Sequence, residues 1–151
     1  MESLIKKGAV EFKEPIDFNF ISKLMDRNNL KSEISSNWLQ QYVFNSAFKI
    51  NDVHTDPSFL DLYKHLQENY NKDNLEANLY IFCSFKMGAA SLTHKDHYDV
   101  YIIGAMGETV YNLEGKEYRI CPGDLLKIPK GVTHTALGMT PRIILSYGTY
   151  N

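Results

Sequence analysis

The stretch GAASLTHKDHYDVYII, residues 88–103, decides how the rest of the chain is interpreted. It opens on Gly88 and carries His94 and Asp96 two positions apart. Because successive side chains of a β-strand point to opposite faces, residues two apart share a face. The spacing therefore predicts that this imidazole and this carboxylate point to the same side of a strand.

A second stretch, GDLLKIPKGVTHTALG at residues 123–138, supplies another imidazole. His134 follows the turn signal PKG at 129–131 and begins a run with strand character. Two imidazoles and one carboxylate form the ligand set of non-haem iron sites that keep coordination positions open. The two stretches together predict a metal site formed by His94, Asp96 and His134.

Short strand-like segments bounded by glycine or proline follow one another in the second half of the chain. They are expected near 78–86, 98–104, 108–113, 116–121, 124–128, 132–137 and 141–149. Such a succession is typical of a sandwich or a barrel. We therefore expect a mainly β fold with a barrel core over residues 78–151.

We expect residues 1–77 to form an N-terminal arm and helices that pack on the barrel, so that the chain forms one structural domain. A short helix is expected around Phe18 to Arg27. A clearer helix starts at Asp56-Pro57, because Asp is a good N-cap and Pro suits the first helical position. The aromatic-rich run from Trp38 to Ile50 is compatible with a first strand, and the helical alternative stays open.

Composition excludes several classes of protein. A chain of 151 residues can bury a core without disulfides, and a net charge of −2 argues against nucleic-acid binding. Cys83 and Cys121 lie in separate apolar runs, which favours free thiols. The start MESLIKKGAVEFKEP lacks the apolar core of a signal peptide, and no apolar run reaches membrane-spanning length. We expect a soluble, cytoplasmic protein with no nucleic-acid or membrane partner; a homodimer through the aromatic run is open.

The two stretches resemble the two motifs of the cupin superfamily. The second motif is met by Gly123, Pro129, Gly131 and His134, and Gly138 stands where that motif usually has an asparagine. The first is met by Gly88, His94 and Gly107. Asp96 stands where the first motif has its second histidine, and the glutamate position falls at Val100 or Tyr101. The resemblance implies a double-stranded β-helix, or jelly-roll barrel, whose four metal ligands are reduced here to a facial triad.

The run HKDHYDVYII, residues 94–103, is similar to the H-x-D-x-x-D-V-F-I-I segment of the ribosomal oxygenases, which are JmjC-like iron and 2-oxoglutarate oxygenases. The resemblance implies Fe(II) or another divalent metal, 2-oxoglutarate as co-substrate, and hydroxylation of the substrate. Because the chain ends soon after the barrel, we expect no dimerisation or winged-helix region, which favours a small molecule or a short peptide. Asp99 is expected to bind backbone, and His97, of opposite parity to His94, to point away from the metal.

The chain departs from this family at the residue that holds the distal carboxylate of 2-oxoglutarate. JmjC-type enzymes place Lys or Arg about fifteen residues beyond the first ligand histidine, and that position is Thr109. A buried dicarboxylate without a cation is costly. Other 2-oxoglutarate oxygenases use an Arg on the last strand, which makes Arg142 the candidate. Lys127 and Lys86 are alternatives, and Thr109 and Tyr101 complete the candidate cofactor-binding set.

Two other functions stay open. A metallocupin that needs no 2-oxo acid (a dioxygenase, lyase or isomerase) binds its substrate at the metal, with Tyr98, Tyr101 or Tyr111 as acid or base. Thr109 in place of a cation favours it. A non-catalytic, ligand-binding cupin needs only the glycine and proline turns, and it does not account for three ligand candidates together.

Overall fold

The structure is a computed structural model that describes residues 4–27, 48–89 and 92–150. In chain order the elements are β1 (Ile5–Lys6), α1 (Phe18–Asp26), β2 (Phe48–Ile50), α2 (Leu60–Tyr70), β3 (Glu76–Ser84), β4 (Gly88–Ala89), β5 (Asp99–Met106), β6 (Thr109–Leu113), β7 (Lys116–Ile120), β8 (Leu125–Ile128), β9 (His134–Gly138) and β10 (Arg142–Tyr150). Two 3₁₀ turns, Val53–Thr55 and Pro57–Phe59, precede α2.

The strands form two antiparallel sheets packed face to face. The larger sheet has the order β1-β8-β5-β10-β3-β2 and the smaller one the order β4-β9-β6-β7. Between them lies an apolar core to which both sheets contribute, including Val100, Ile102, Ile144, Tyr111 and Ala136. The architecture is a jelly-roll double-stranded β-helix with an N-terminal helical segment, which confirms the predicted fold class.

Helices cover the outer face of the larger sheet. Alternation along its strands sends a second set of side chains outward, including Leu79, Ile81, Ile103 and Leu145, where they pack with residues of α1 and α2. The central strand β10 is consequently buried on both faces over nearly its whole length. Because β10 is held from both sides, the residues it presents to the barrel interior have a rigid support.

The structure confirms the predicted helices and strands. The carboxylate of Asp17 accepts a hydrogen bond of 2.9 Å from the Phe20 N–H at the start of α1, and Asp56 accepts one of 3.0 Å from the Ser58 N–H ahead of α2. The seven predicted strands correspond to β3 and β5–β10, with ends that move by at most two residues. The two-residue strands β1 and β4 were not predicted. Of the aromatic-rich run, β2 is a strand, whereas residues 38–47 lie outside the described part.

Cys83 and Cys121 are free thiols, as the sequence predicts, and Cys83 is buried. Neither helix in the described part of the chain has the length and apolar character needed to cross a membrane.

Asp124, directly after Gly123, ties the N-terminal arm to the barrel. Its carboxylate accepts hydrogen bonds from Lys7 Nζ at 2.7 Å, from the Gly8 N–H at 3.0 Å and from the Cys121 N–H at 2.9 Å. Burial alone would raise the pKa of Asp124, but these hydrogen bonds and the Lys7 charge outweigh it, so the pKa is lowered. The ionised carboxylate therefore stabilises the folded state.

We expect Asp124→Asn to lower the free energy of unfolding at pH 7 by about 1.5–3 kcal/mol, because hydrogen bonds to a charged acceptor are lost. Since the folded pKa lies below the unfolded value of about 3.9, this stabilisation is present above that pH and is lost as pH falls through the folded pKa. Urea unfolding between pH 7 and pH 3 should show the gap between wild type and variant closing. Asp73→Asn, at an exposed site, is the control. A difference in unfolding free energy between wild type and Asp124→Asn that stays constant with pH would contradict the role of the charge.

Candidate metal centre

A backbone bridge brings His94 and His134 together. The His94 N–H donates to the His134 carbonyl at 3.0 Å, and the His134 N–H donates back to the His94 carbonyl at 2.8 Å. The two rings lie with their centroids 4.3 Å apart. The sequence argument assumed a regular strand through His94 and Asp96. The structure instead has an isolated bridge at His94, followed by a loop that carries Asp96 to β5.

The turn at residues 129–131 holds this loop in place. The Gly131 N–H donates to the Asp96 carbonyl at 2.9 Å, and the Lys130 N–H donates to Asp99 Oδ1 at 2.8 Å. Gly131 has a φ of +79°, a left-handed conformation that residues with side chains rarely adopt. The turn at residues 129–131, which belongs to the second motif, thus positions Asp96, which belongs to the first. Asp99 binds a backbone N–H, as the sequence predicts.

The carboxylate of Asp96 faces both imidazoles. Its Oδ1 lies 3.8 Å from His94 Nε2, and its Oδ2 lies 3.5 Å from His134 Nε2. The candidate ligand atoms of the three residues all lie within 4.8 Å of one another. Donors that bind one ion at about 2.1 Å are at most about 4.2 Å apart. The set is therefore slightly wider than a bound ion requires, and His94, with 43% of its side chain exposed, is its most exposed member.

Backbone carbonyls orient both imidazoles. His94 Nδ1 lies 2.7 Å from the Leu92 carbonyl, and His134 Nδ1 lies 3.0 Å from the Val132 carbonyl. A neutral histidine that donates its Nδ1–H to a carbonyl presents the lone pair of Nε2. Such carbonyl contacts are common behind histidines that bind metals. The donor set therefore fits a divalent metal ion with two nitrogen ligands and one oxygen ligand.

The triad opens into a cavity of about 180 Å³ between the two sheets, which we call the metal cavity because the candidate ligands line it. Ligand pockets usually measure about 300–1,000 Å³, so this one suits compact molecules. Burial raises the pKa of Tyr98 to about 12 and also raises the pKa of Tyr111, so both phenols are neutral near pH 7. Apolar side chains form much of the remaining wall, among them Val100, Ile102, Ile128 and Ile144.

Arg142, the first residue of β10, lines the same cavity and is only 3% exposed. Its Nη1 donates to the Lys86 carbonyl at 2.8 Å and to the Thr140 carbonyl at 3.4 Å. No carboxylate within residues 4–27, 48–89 and 92–150 forms an ion pair with it. Burial lowers the pKa of Arg142, but a guanidinium stays protonated at neutral pH. The cavity thus contains a buried cation that suits an anionic ligand.

Gly138 provides the space for this guanidinium. A Cβ atom at Gly138 would overlap Nη1, Cζ and Nε of Arg142. Directly opposite Gly138 on β6 is Thr109, which also lines the cavity. The Thr109 hydroxyl is buried and has no hydrogen-bond partner among the described atoms. Because leaving a buried polar group unpaired costs about 1–3 kcal/mol, this hydroxyl indicates where a ligand accepts a hydrogen bond.

Comparison with solved structures gives a match at the level of the fold. The structure of YcfD, a ribosomal oxygenase from Escherichia coli, in complex with cobalt and 2-oxoglutarate matches 97% of this chain and 47% of that chain, with a TM-score of 0.76 and 19% sequence identity. Its complex with cobalt and succinic acid matches with a TM-score of 0.75, 20% identity and the same coverage. This chain has the YcfD fold.

The match confirms, at the level of the fold, the predicted likeness to a ribosomal oxygenase. This chain spans about half the length of YcfD, since the match covers 47% of the longer protein. No family model matches the chain, and no curated protein matches it in sequence.

Lys127 and Tyr101 are not brought to the metal cavity. Both point to the opposite face of the larger sheet, because alternation sends their strand neighbours inward, and both line a separate cavity there. Lys127 Nζ lies 3.5 Å from Asp99 Oδ2 and 5.8 Å from the centroid of the Tyr101 ring. Lys86 has an exposed side chain and contributes only its carbonyl, to Arg142.

The other described histidines lie outside the candidate ligand group. His97 is exposed, as its parity predicts. His54 stacks on Tyr63 with ring centroids 4.8 Å apart, and His65 is exposed on α2. The sequence analysis did not select Lys49, which the structure places in the metal cavity. Only the register of β2 could have revealed it.

Proposed function

We propose that this protein is a metal-dependent oxygenase that uses Fe(II) and 2-oxoglutarate to hydroxylate a small molecule or a peptide. The observation that carries the proposal is one cavity holding both the His-Asp-His triad and the buried guanidinium of Arg142. 2-Oxoglutarate has a chelating 2-oxo acid at one end and a second carboxylate at the other. The structural neighbour YcfD, solved with cobalt and 2-oxoglutarate, supports the proposal.

The residues that line the cavity have different roles at its two ends. His94, Asp96 and His134 would hold the metal, which, when bound, supplies open positions at which a 2-oxo acid and O₂ react. Arg142 binds the distal carboxylate through charge-assisted hydrogen bonds, and the Thr109 hydroxyl donates to the same group. The apolar walls exclude water and so strengthen this charge pairing.

Arg142 of β10 compensates for the absence of a cation at position 109. Gly138 pairs with Thr109 across β9 and β6, and the Arg142 guanidinium occupies the space that Gly138 leaves open. The positive charge therefore reaches the Thr109 level of the barrel from β10. This contact is our reason for preferring a 2-oxo acid over a metallocupin reaction that needs none.

An anaerobic titration with Fe(II) and then 2-oxoglutarate tests the proposal. We expect the visible charge-transfer band of the iron–2-oxo acid chelate to appear, and to be absent in His94→Ala. Tight metal binding without the band would favour the metallocupin that needs no 2-oxo acid, with the neutral phenols of Tyr98 and Tyr111 as its acid groups. If the protein binds no metal, both enzymatic functions are contradicted, and the non-catalytic, ligand-binding cupin remains.

A further inference from the structure

Lys49 places a second cation in the metal cavity. On β2 it lies directly opposite Phe82 of β3, and residues opposite each other in an antiparallel pair share a face. Phe82 packs against the core between the sheets, so Lys49 also points inward, and it lines the cavity. The next residue, Ile50, belongs to the outer core, as strand alternation requires.

The ammonium group of Lys49 has aromatic neighbours. Its Nζ lies 4.0 Å from the centroid of the Tyr80 ring and 5.9 Å from that of Phe82. Cation–π contacts stabilise a charge but do not neutralise it. In the part of the chain that the structure describes, no carboxylate forms an ion pair with Lys49. Its charge is thus available to a ligand.

Lys49 and Arg142 lie at different levels of the barrel. Arg142 pairs with Ser84 of β3, which is two residues beyond Phe82 and four beyond Tyr80. At about 3.3 Å per residue, these levels lie roughly 7 Å and 13 Å from that of Arg142. Since the ammonium of Lys49 lies over the Tyr80 ring, the cavity has two separate places for an anionic group.

We propose that Lys49 binds the carboxylate of a small anionic substrate, in a subsite distinct from the one where Arg142 holds the 2-oxo acid. The identity of the reaction rests on the proposed function, whereas the second anion subsite does not depend on it. Once a 2-oxo acid has neutralised Arg142, Lys49 is the remaining protein cation among the described residues that line the cavity. A negatively charged substrate compensates it.

The walls of this subsite specify the body of the substrate. Tyr80 and Phe82 line the cavity beside Lys49, and Tyr98 also lines the cavity. The Tyr80 hydroxyl is already engaged, because it accepts from Asn78 Nδ2 at 3.0 Å and lies 3.0 Å from the Tyr150 hydroxyl. The aromatic faces therefore contact an apolar group, and the ammonium contacts the acid. Aryl carboxylates have this combination.

The test is a calorimetric titration of protein loaded with Co(II) and saturated with N-oxalylglycine, an unreactive analogue of 2-oxoglutarate. The probes are benzoate, phenylacetate and 3-phenylpropanoate, each compared with its uncharged amide. We expect at least one acid to bind wild type about tenfold or more tightly than its amide. Lys49→Gln should abolish this preference, and Lys49→Arg should retain it. The affinity for N-oxalylglycine should stay within about twofold of wild type in Lys49→Gln, whose folding circular dichroism verifies.

Three results would overturn the proposal: acids and amides that bind equally or not at all, a preference for the acid that survives in Lys49→Gln, or a loss of N-oxalylglycine affinity in that variant. The last result would place Lys49 at the co-substrate. If wild type binds neither metal nor N-oxalylglycine, the proposed function fails, and the same comparison of acid with amide on metal-free protein decides the Lys49 subsite by itself.

Discussion

Arg142→Ala should weaken the binding of 2-oxoglutarate by at least about 30-fold and leave metal affinity unchanged. Truncating one partner of a buried, hydrogen-bonded charge pair costs about 2–5 kcal/mol, and 2 kcal/mol corresponds to that factor. The metal ligands keep their positions, because the backbone bridge between His94 and His134 and the turn at 129–131 do not involve Arg142. The measurement is the affinity for 2-oxoglutarate of the Fe(II)-loaded protein under anaerobic conditions.

Two further variants distinguish the loss of the guanidinium from general damage to the core. Lys86→Ala removes a neighbouring cation but keeps the carbonyl that accepts from Arg142, so 2-oxoglutarate affinity should be unchanged. Gly138→Ala leaves Arg142 in the sequence but places a methyl group where its guanidinium lies, and it should weaken binding as Arg142→Ala does. Unchanged affinity in Arg142→Ala would remove this residue from the co-substrate site.

Local sequence spacing was enough to predict that His94, Asp96 and His134 come together. The two motifs fix short loops around tight turns, and each turn is made by residues whose type is readable without the structure. Gly131 is an example, since its positive φ demands glycine at the position where the second motif has one. His94, Asp96 and His134 were therefore predicted as a set, although the strand assumed around His94 is an isolated bridge.

Residues whose role depends on pairing between distant strands were harder to predict. Lys127 and Arg142 are both cations near motif residues, and only the register of β8 and β10 shows that one faces outward and the other lies in the cavity. A shift of one residue in register would exchange these faces. Lys49 was missed for the same reason, because its strand has three residues and too short an alternation to read. Gly138 departs from the cupin motif, and the space that it gives Arg142 becomes visible only in three dimensions.

His134→Ala should lower the affinity for Fe(II) or Co(II) by more than about 100-fold. Loss of a group that merely orients a metal-binding histidine costs about 10–100-fold, and the loss of a ligand exceeds that. The His134 side chain is 6% exposed and oriented by the Val132 carbonyl, so no solvent-facing group takes its place easily. His97→Ala removes an exposed imidazole next to Asp96 in sequence and is the matched control, with metal affinity unchanged.

Thermal unfolding measures the same loss without any assay of activity. A metal at 100 times its dissociation constant stabilises the folded protein by about 2.7 kcal/mol, and each kcal/mol raises the Tm of a domain of this size by about 2–4 °C. The Tm of wild type and of His97→Ala should therefore rise by about 5–11 °C on addition of metal. His134→Ala should show no such rise, while its metal-free form still folds, because the hydrogen bonds that join residues 94 and 134 are made by the backbone. An equal rise in His134→Ala would show that the metal binds elsewhere.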